Sequence, residues 1–298
     1  MPCSLYKKLF LSPYYFTIAL KRRGLEHPPE STVFKCEFAI PAKPEKWYAD
    51  PMLIDCNGQT YMFYEAVVDG KGHLEVVTVN DDCSVSEPTV ILRDDCHYSY
   101  PFVFRYDNEW YMIPESSAAS EVRLYKAAEF PYRWEMCDVI MHERAVDTTV
   151  FESNQGLIML TYIIDPNGTE RVTPQAFTLN ITNGKTALKK LDWQNFDCLK
   201  VRGAGGFFSD SENVYRPAQL SSDHKYGNGV AFYEAELGNG RYSEIPVAQM
   251  LPDSVIYSGS YFDGLHTYSR SAHFEAVDVR CRKFDLFKVI KALLSRKR

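Results

Sequence analysis

No run of about 18 consecutive apolar residues occurs in the 298-residue chain, which excludes a membrane-spanning helix by sequence. There is no C-x-x-C among the eight cysteines (3, 36, 56, 83, 96, 137, 198 and 281). Their scatter fits free thiols in a reducing cytosol better than a disulfide framework or zinc site, so no metal or other cofactor is expected. H-E-x-x-H, G-x-S-x-G and the G-x-G-x-x-G dinucleotide fingerprint are all missing. Metalloprotease, serine hydrolase and dehydrogenase chemistry therefore have no support. Helical periodicity is nearly absent as well. Residues 284–298 alone carry an amphipathic stripe, formed by Phe284, Phe287, Ile290 and Leu294.

Charge is unevenly spread. The formal net charge is −6, but residues 1–23 carry +5 and residues 280–298 carry +7, which leaves −18 between them. An acidic body argues against nucleic acid as a ligand, because phosphate backbones want a basic folded face. The basic ends suit contact with an anionic membrane surface instead. The N-terminal run MPCSLYKKLFLSPYYFTIALKRR is interrupted by Pro13 and Lys21 and is followed by no small-residue cleavage site, so it is read as not a signal peptide. With the reduced thiols this gives a cytoplasmic protein, peripheral at the inner face of the membrane.

What the chain has in plenty is aromatic residues, 14% with 20 Tyr and 18 Phe, and an internal repeat. ADPMLIDCNGQTYMFYE (49–65) returns as SYPFVFRYDNEWYMIPE (99–115) at an ungapped offset of 50. Looser copies stand at 146–162 and 205–219, and a degenerate one at 264–278. The first three copies read as β-hairpins, with turns at Asn57-Gly58, Asp107-Asn108 and Asn154-Gln155. Further strand-like runs follow at His73–Val79, Glu121–Ala127, Ala176–Ile181 and Gly229–Leu237. A period near 50 residues with about four strands per unit predicts an all-β, five-bladed β-propeller over 47–280, with a β-sandwich as the alternative. Residues 1–46 form an N-terminal segment whose run Tyr15–Lys21 can supply an outer strand that closes the ring. Residues 281–298 form a short, basic, amphipathic helical tail that either lies on a membrane or packs on the propeller.

Hairpin arithmetic places position 50 opposite 65, 100 opposite 115, and 147 opposite 162. Asp50, Tyr100 and Asp147 are then equivalent positions at the start of the innermost strands, which converge on one end of the central channel. Asp50, Glu115 and Asp147 become the candidate catalytic carboxylates, with Glu65 beside them. Converging carboxylates raise the pKa of at least one member, as acid–base work on a glycosyl centre requires. Carboxylates at strand ends also commonly just bind backbone amides or Arg. Candidate substrate-binding residues are His97, Tyr100, Arg123, Arg202, Arg216, Gln219, Tyr226 and His266. The arginines either hold substrate phosphate by bidentate bonds or pair with the acids, and the aromatics (Trp47, Tyr48 and Tyr98 included) either stack on sugar rings or belong to the core.

The segments WYADP, HYSYPFVF, YMIPESSA, EVRLYKA, FPYRW, VDTTVF, YRPAQ and GLHTYS, in this order, resemble the propeller domain at the N-terminus of plant glucosamine inositol phosphorylceramide transferases. Related domains occur in bacterial surface-polysaccharide biosynthesis. The A-D-P opening also looks like the five-bladed fold of glycoside hydrolase family 43. The resemblance implies a five-bladed propeller and a role in glycan assembly. Asp50 matches the hydrolase base, the second-blade Asp of the hydrolases falls at Tyr100, and the third-blade acid falls at Asp147. Because Tyr100 departs from that triad, the resemblance favours sugar transfer, from a sugar nucleotide or lipid-linked sugar, over furanoside hydrolysis. A non-catalytic glycan-binding or scaffolding propeller is the further alternative.

Overall fold

The computed structural model describes residues 15–24, 33–153, 156–165, 172–193, 201–210, 213–220, 226–238, 241–258 and 260–281. The helix expected over 284–298 lies outside these residues. Among them, helical structure is confined to two 3₁₀ turns, Ser117–Ala119 and Pro252–Ser254.

Five four-stranded antiparallel sheets form the blades of a propeller. From the inner strand outward, the first blade is Lys46–Cys56, Gln59–Val68, Lys71–Val79 and Thr89–Leu92. The second is Ser99–Tyr106, Glu109–Glu115, Val122–Glu129 and Arg133–Met141, and the third Ala145–Ser153, Gly156–Ile164, Val172–Thr182 and Lys185–Lys190. The fourth is Phe208–Ser209, Val214–Gln219, Val230–Gly238 and Arg241–Met250. The fifth begins with Phe262–Arg270 and Phe274–Cys281 and is completed by the N-terminal strand Tyr15–Arg22, which runs antiparallel to Phe274–Cys281. The N-terminal strand is one step further in than the sequence reading placed it, because Phe38–Ala39 pairs with its free edge. Joining first and last strands in one sheet removes the open edge that a linear array of blades would leave.

Both faces of each sheet are covered by neighbouring blades, so the inner strands read as continuous apolar runs rather than simple alternation. On the N-terminal strand, Ile18 and Leu20 pack with Leu53, Met62, Tyr64 and Val77 of the first blade, while Ala19 packs with Val230, Phe232 and Met250 of the fourth. The period of two thus sends successive side chains into two different seams.

One feature differs from the hairpin arithmetic. Ala49, not Asp50, stands opposite Glu65, and Met52 stands opposite Phe63, so Asp50 and Pro51 together face Tyr64. The same bulge sets Tyr100-Pro101 against Pro114, Asp147-Thr148 against Thr161, and His266-Thr267 against Asp278. Asp50, Tyr100 and Asp147 all have positive φ, at 52°, 44° and 50°. Each such non-glycine residue costs about 1 kcal/mol. A bulge inserts one residue and re-aims its side chain, which here swings the equivalent positions of three blades off the sheet face and toward the axis.

Leu20 is fully buried in the closing strand. Leu20→Ala is expected to lower unfolding free energy by about 2–5 kcal/mol in urea denaturation, with Phe38→Ala, half-buried at the sheet edge, costing less.

Candidate active site

At the bulged ends of the inner strands lies a cavity of about 320 Å³, lined by Asp50, Glu65, Glu115, Asp147, His97, His266, Arg202, Tyr226, Trp47 and Phe16 among others. That is the lower end of the range for small-molecule sites and suits a single sugar ring. Asp50 is the most constrained member. Thr267 Oγ1 donates to its Oδ1 (2.7 Å), the Tyr100 backbone N–H donates to its Oδ2 (3.2 Å), and His266 Nε2 lies 3.3 Å from Oδ1. Burial opposes ionisation, but these three partners outweigh it and hold the Asp50 pKa below the ordinary Asp value.

Behind Asp50 stands Asp278, whose side chain is fully buried. It accepts backbone N–H groups from Asp50 (3.1 Å), His266 (3.0 Å) and Thr267 (2.9 Å), and lies 2.8 Å from His266 Nδ1. His266 is therefore held between two carboxylates. Burial alone would lower its pKa, yet Asp278 and Asp50 push it up to about 10. Asp50, His266 and Asp278 offer ligand atoms within 4.8 Å of one another, as a metal site would, but the imidazole already bridges the two acids and the arrangement is that of an ion-paired triad.

The remaining carboxylates sit in contrasting settings. Burial, with the Asp147 charge next, pushes Glu115 up to about 8, and Ser117 Oγ donates to its Oε1 (2.9 Å). Burial likewise pushes Glu65 up to about 7, against the contact of His97 Nε2 with its Oε1 (3.0 Å). The carboxylate charges raise the His97 pKa. The Gly72 N–H nonetheless donates to His97 Nδ1 (3.0 Å), which fits an unprotonated Nδ1 and leaves the proton on Nε2, facing Glu65. Gly72 is required here because a Cβ would fall 2.6 Å from Glu65 Oε1. Asp147 is gripped bidentately by Arg202 (Nε to Oδ2 2.6 Å, Nη2 to Oδ1 3.0 Å); burial raises its pKa and the guanidinium opposes that rise. Arg202 Cζ also lies 5.9 Å from the ring of Tyr226, which is 46% exposed and offers a stacking face.

Of the residues singled out by sequence, Asp50, Glu115, Asp147, His97, Arg202, Tyr226 and His266 line this cavity, with Glu65. Six stand elsewhere. Tyr100 is buried beneath it, its hydroxyl accepting the Gly205 N–H (3.0 Å). Arg123 donates to Glu121 (2.7 Å) and to Tyr98 Oη (2.6 Å). Arg216, 1% exposed, makes a bidentate pair with Glu244 (2.7 Å each) and donates to Tyr162 Oη and the Val201 carbonyl. Gln219 donates to the Gly203 carbonyl (2.9 Å), which places it as support for the segment carrying Arg202. Tyr48 and Tyr98 are core residues. Sequence reasoning missed Asp278, Thr267 and Ser117. The hairpin logic applied to the fifth repeat copy, where His266-Thr267 folds against Asp278, is the signal that finds two of them.

The structure is thus a five-bladed propeller with a recessed, carboxylate-rich pocket at one end of its channel. The chain belongs to the family described as glucosamine inositolphosphorylceramide transferase 1, N-terminal, whose model matches residues 9–279. It is 33% identical over 242 residues to glucosamine inositolphosphorylceramide transferase 1 of Arabidopsis thaliana, covering 74% of this chain and 30% of that protein. The Oryza sativa subsp. japonica protein of the same name is 29% identical over 211 residues, 68% of this chain and 28% of that one. The chain thus spans under a third of the curated relatives it matches. In fold it is similar to an α-L-arabinofuranosidase from Podospora anserina (TM-score 0.54, 10% identity, 88% of this chain and 97% of that one). It is also similar to a family 43 endo-arabinanase from Bacillus licheniformis (TM-score 0.51, 12% identity, 79% and 93%).

Two titrations follow. Replacing Asp278 by Asn removes a charge from His266, so its imidazole pKa should drop from about 10 toward the ordinary value, read by NMR. Glu115 titrates higher folded (about 8) than unfolded (4.5), so the unfolded chain releases its proton first and wild type loses stability as pH rises from 4.5 through 8. Glu115→Gln escapes that loss and should melt above wild type at pH 8.5, with the advantage vanishing below pH 4.5.

Proposed function

We propose that the chain is a sugar-transferring enzyme of cell-surface polysaccharide or glycolipid assembly, acting in the carboxylate pocket on a sugar nucleotide or lipid-linked sugar. The observation that carries the reading is the split in proton affinity between two acids facing one cavity. Asp50 is held ionised while Glu115 is neutral near pH 7. Such a pair supplies a base and an acid at the same pH. In the proposed step the acceptor hydroxyl gives its proton to Asp50 and its oxygen bonds to the anomeric carbon. The bond from that carbon to the leaving oxygen breaks, and Glu115 returns a proton to the leaving oxygen where that is an alcohol. Asp147, oriented by Arg202, stabilises the positive charge developing on the sugar ring, and Trp47 and Tyr226 pack against it. The names of the relatives support the class of reaction, and the donor and acceptor are part of the proposal.

A second reading, sugar binding without turnover, draws on the occupancy of the carboxylates. Both oxygens of Asp147 are taken by Arg202 and both of Asp50 accept hydrogen bonds. A thermal-shift screen with nucleotide sugars and simple sugars, followed by a transfer assay, separates the two. Stabilisation by one nucleotide sugar with turnover supports transfer, free sugar release supports hydrolysis, and stabilisation without turnover supports the binding module. For the transferase, Asp50→Asn is expected to lower turnover by ~10²–10⁴-fold with the fold intact. Where the leaving oxygen is an alcohol, wild-type activity should fall as pH rises through about 8, and Glu115→Gln, with no proton to give, should be slow at every pH and lack that limb. With a sugar nucleotide the limb should be missing from wild type too.

A further inference from the structure

The far end of the channel carries a second pocket of opposite character. It is lined by the last residues of the inner strands, Leu53, Ile54, Phe104, Arg105, Phe208, Ser209 and Arg270, joined by Arg23, Trp110 and Asp55. Ile54 follows Asp50 by four residues on one strand, which puts the two pockets ~13 Å apart. In an acidic protein three guanidinium groups gather here, and the acids whose charges act on Arg270 are Glu275, its cross-strand partner, and Asp210. Arg105 is exposed, lies 5.8 Å from the Trp110 ring and makes a 3.4 Å contact with Asn108. Arg23 donates to the Ser271 carbonyl (3.4 Å).

Arg270 is the most telling. Its Nη1 and Nη2 are buried and lack any hydrogen-bond partner, while its Cζ lies 4.8 Å from the Phe208 ring. Burial lowers its pKa, a mark of a desolvated charge. The charges of Glu275 and Asp210 oppose that lowering, but Glu275 is itself held by Lys21 (3.1 Å). The guanidinium stays protonated with its two Nη groups unbonded, which leaves those donors to be met by a ligand. Asp55, the acid in the lining, does not meet them: its oxygens accept the Thr60 hydroxyl (2.5 Å) and the Ala272 N–H (2.7 Å).

We propose that this pocket is a phosphate-binding site, in which Arg270, Arg23 and Arg105 hold a phosphate group and the rings of Phe104, Trp110 and Phe208 flank whatever the phosphate is attached to. The fork of N–H donors on each guanidinium matches phosphate oxygens, and three such groups match a dianion. The phosphate comes either from a soluble molecule or from a lipid headgroup, and the site stands independently of the reaction in the carboxylate pocket.

The test titrates inorganic phosphate into the full chain by calorimetry, for wild type, Arg270→Gln, Arg105→Gln and Asp50→Asn, with melting temperatures recorded for each. A second arm measures co-sedimentation with phosphatidylglycerol vesicles against phosphatidylcholine vesicles. Saturable binding that weakens about 10-fold or more in both arginine variants, and does not weaken in Asp50→Asn, supports the site and a soluble ligand. Vesicle binding with the same dependence, in place of phosphate binding, supports the site and a lipid source. The exposed Arg105 keeps the test valid if Arg270→Gln melts early. Absence of binding in both arms, binding indifferent to Arg105→Gln, or loss in Asp50→Asn overturns the proposal.

Discussion

A carboxylate of one blade accepting the backbone N–H of the next is the interaction on which the site depends. Each inner-strand bulge frees an N–H inside the channel, where water is scarce and an unpaired donor is costly. Asp278 of the fifth blade accepts the Asp50 N–H, and Asp50 accepts the Tyr100 N–H. Side-chain oxygens near the axis thus tie the fifth blade to the first and the first to the second. Asp278 sits on the strand that pairs with Tyr15–Arg22. Ring closure and the posture of Asp50 are therefore one structural event, and the positive φ of Asp50, Tyr100 and Asp147 is sustained by it.

Given that frame, the acids differ because their partners differ, not because their chemistry does. Asp50 has a cation, a hydroxyl and an amide; Glu115 has one serine and a nearby negative charge. Glu65 is intermediate, since a neutral His97 gives a hydrogen bond but no full charge. A low-dielectric pocket turns those modest differences into a base and an acid that coexist at one pH.

Much of this was legible in the sequence. The ungapped offset of 50 and the Asn-Gly and Asp-Asn turns fix blade length and bring Asp50 and Tyr100 to equivalent places, since a period-two hairpin leaves little freedom of register. The bulge was not legible: one extra residue per inner strand leaves no mark in an apolar run. The fate of the arginines divides along the same line. Arg123 pairs with Glu121, two residues earlier and just before the strand begins, which local reading can see. Arg216 pairs with Glu244, 28 residues on and across the sheet from it, and only the folded register makes that contact. Asp278 was hidden by the degeneracy of the fifth copy.

The electrostatics of each channel end is mainly local. Unit charges ~13 Å apart interact by about 1 kcal/mol at an effective dielectric constant near 20. Screening by salt is weak inside a packed channel, although it would be nearly complete over that distance across open surface. The ionisation of Asp50 is set at contact distance, by His266, Thr267 and the Tyr100 N–H. What joins the two ends is the frame: Asp50, Arg105 and Arg270 stand on the inner strands of three blades, and Arg23 follows the N-terminal strand that completes the fifth.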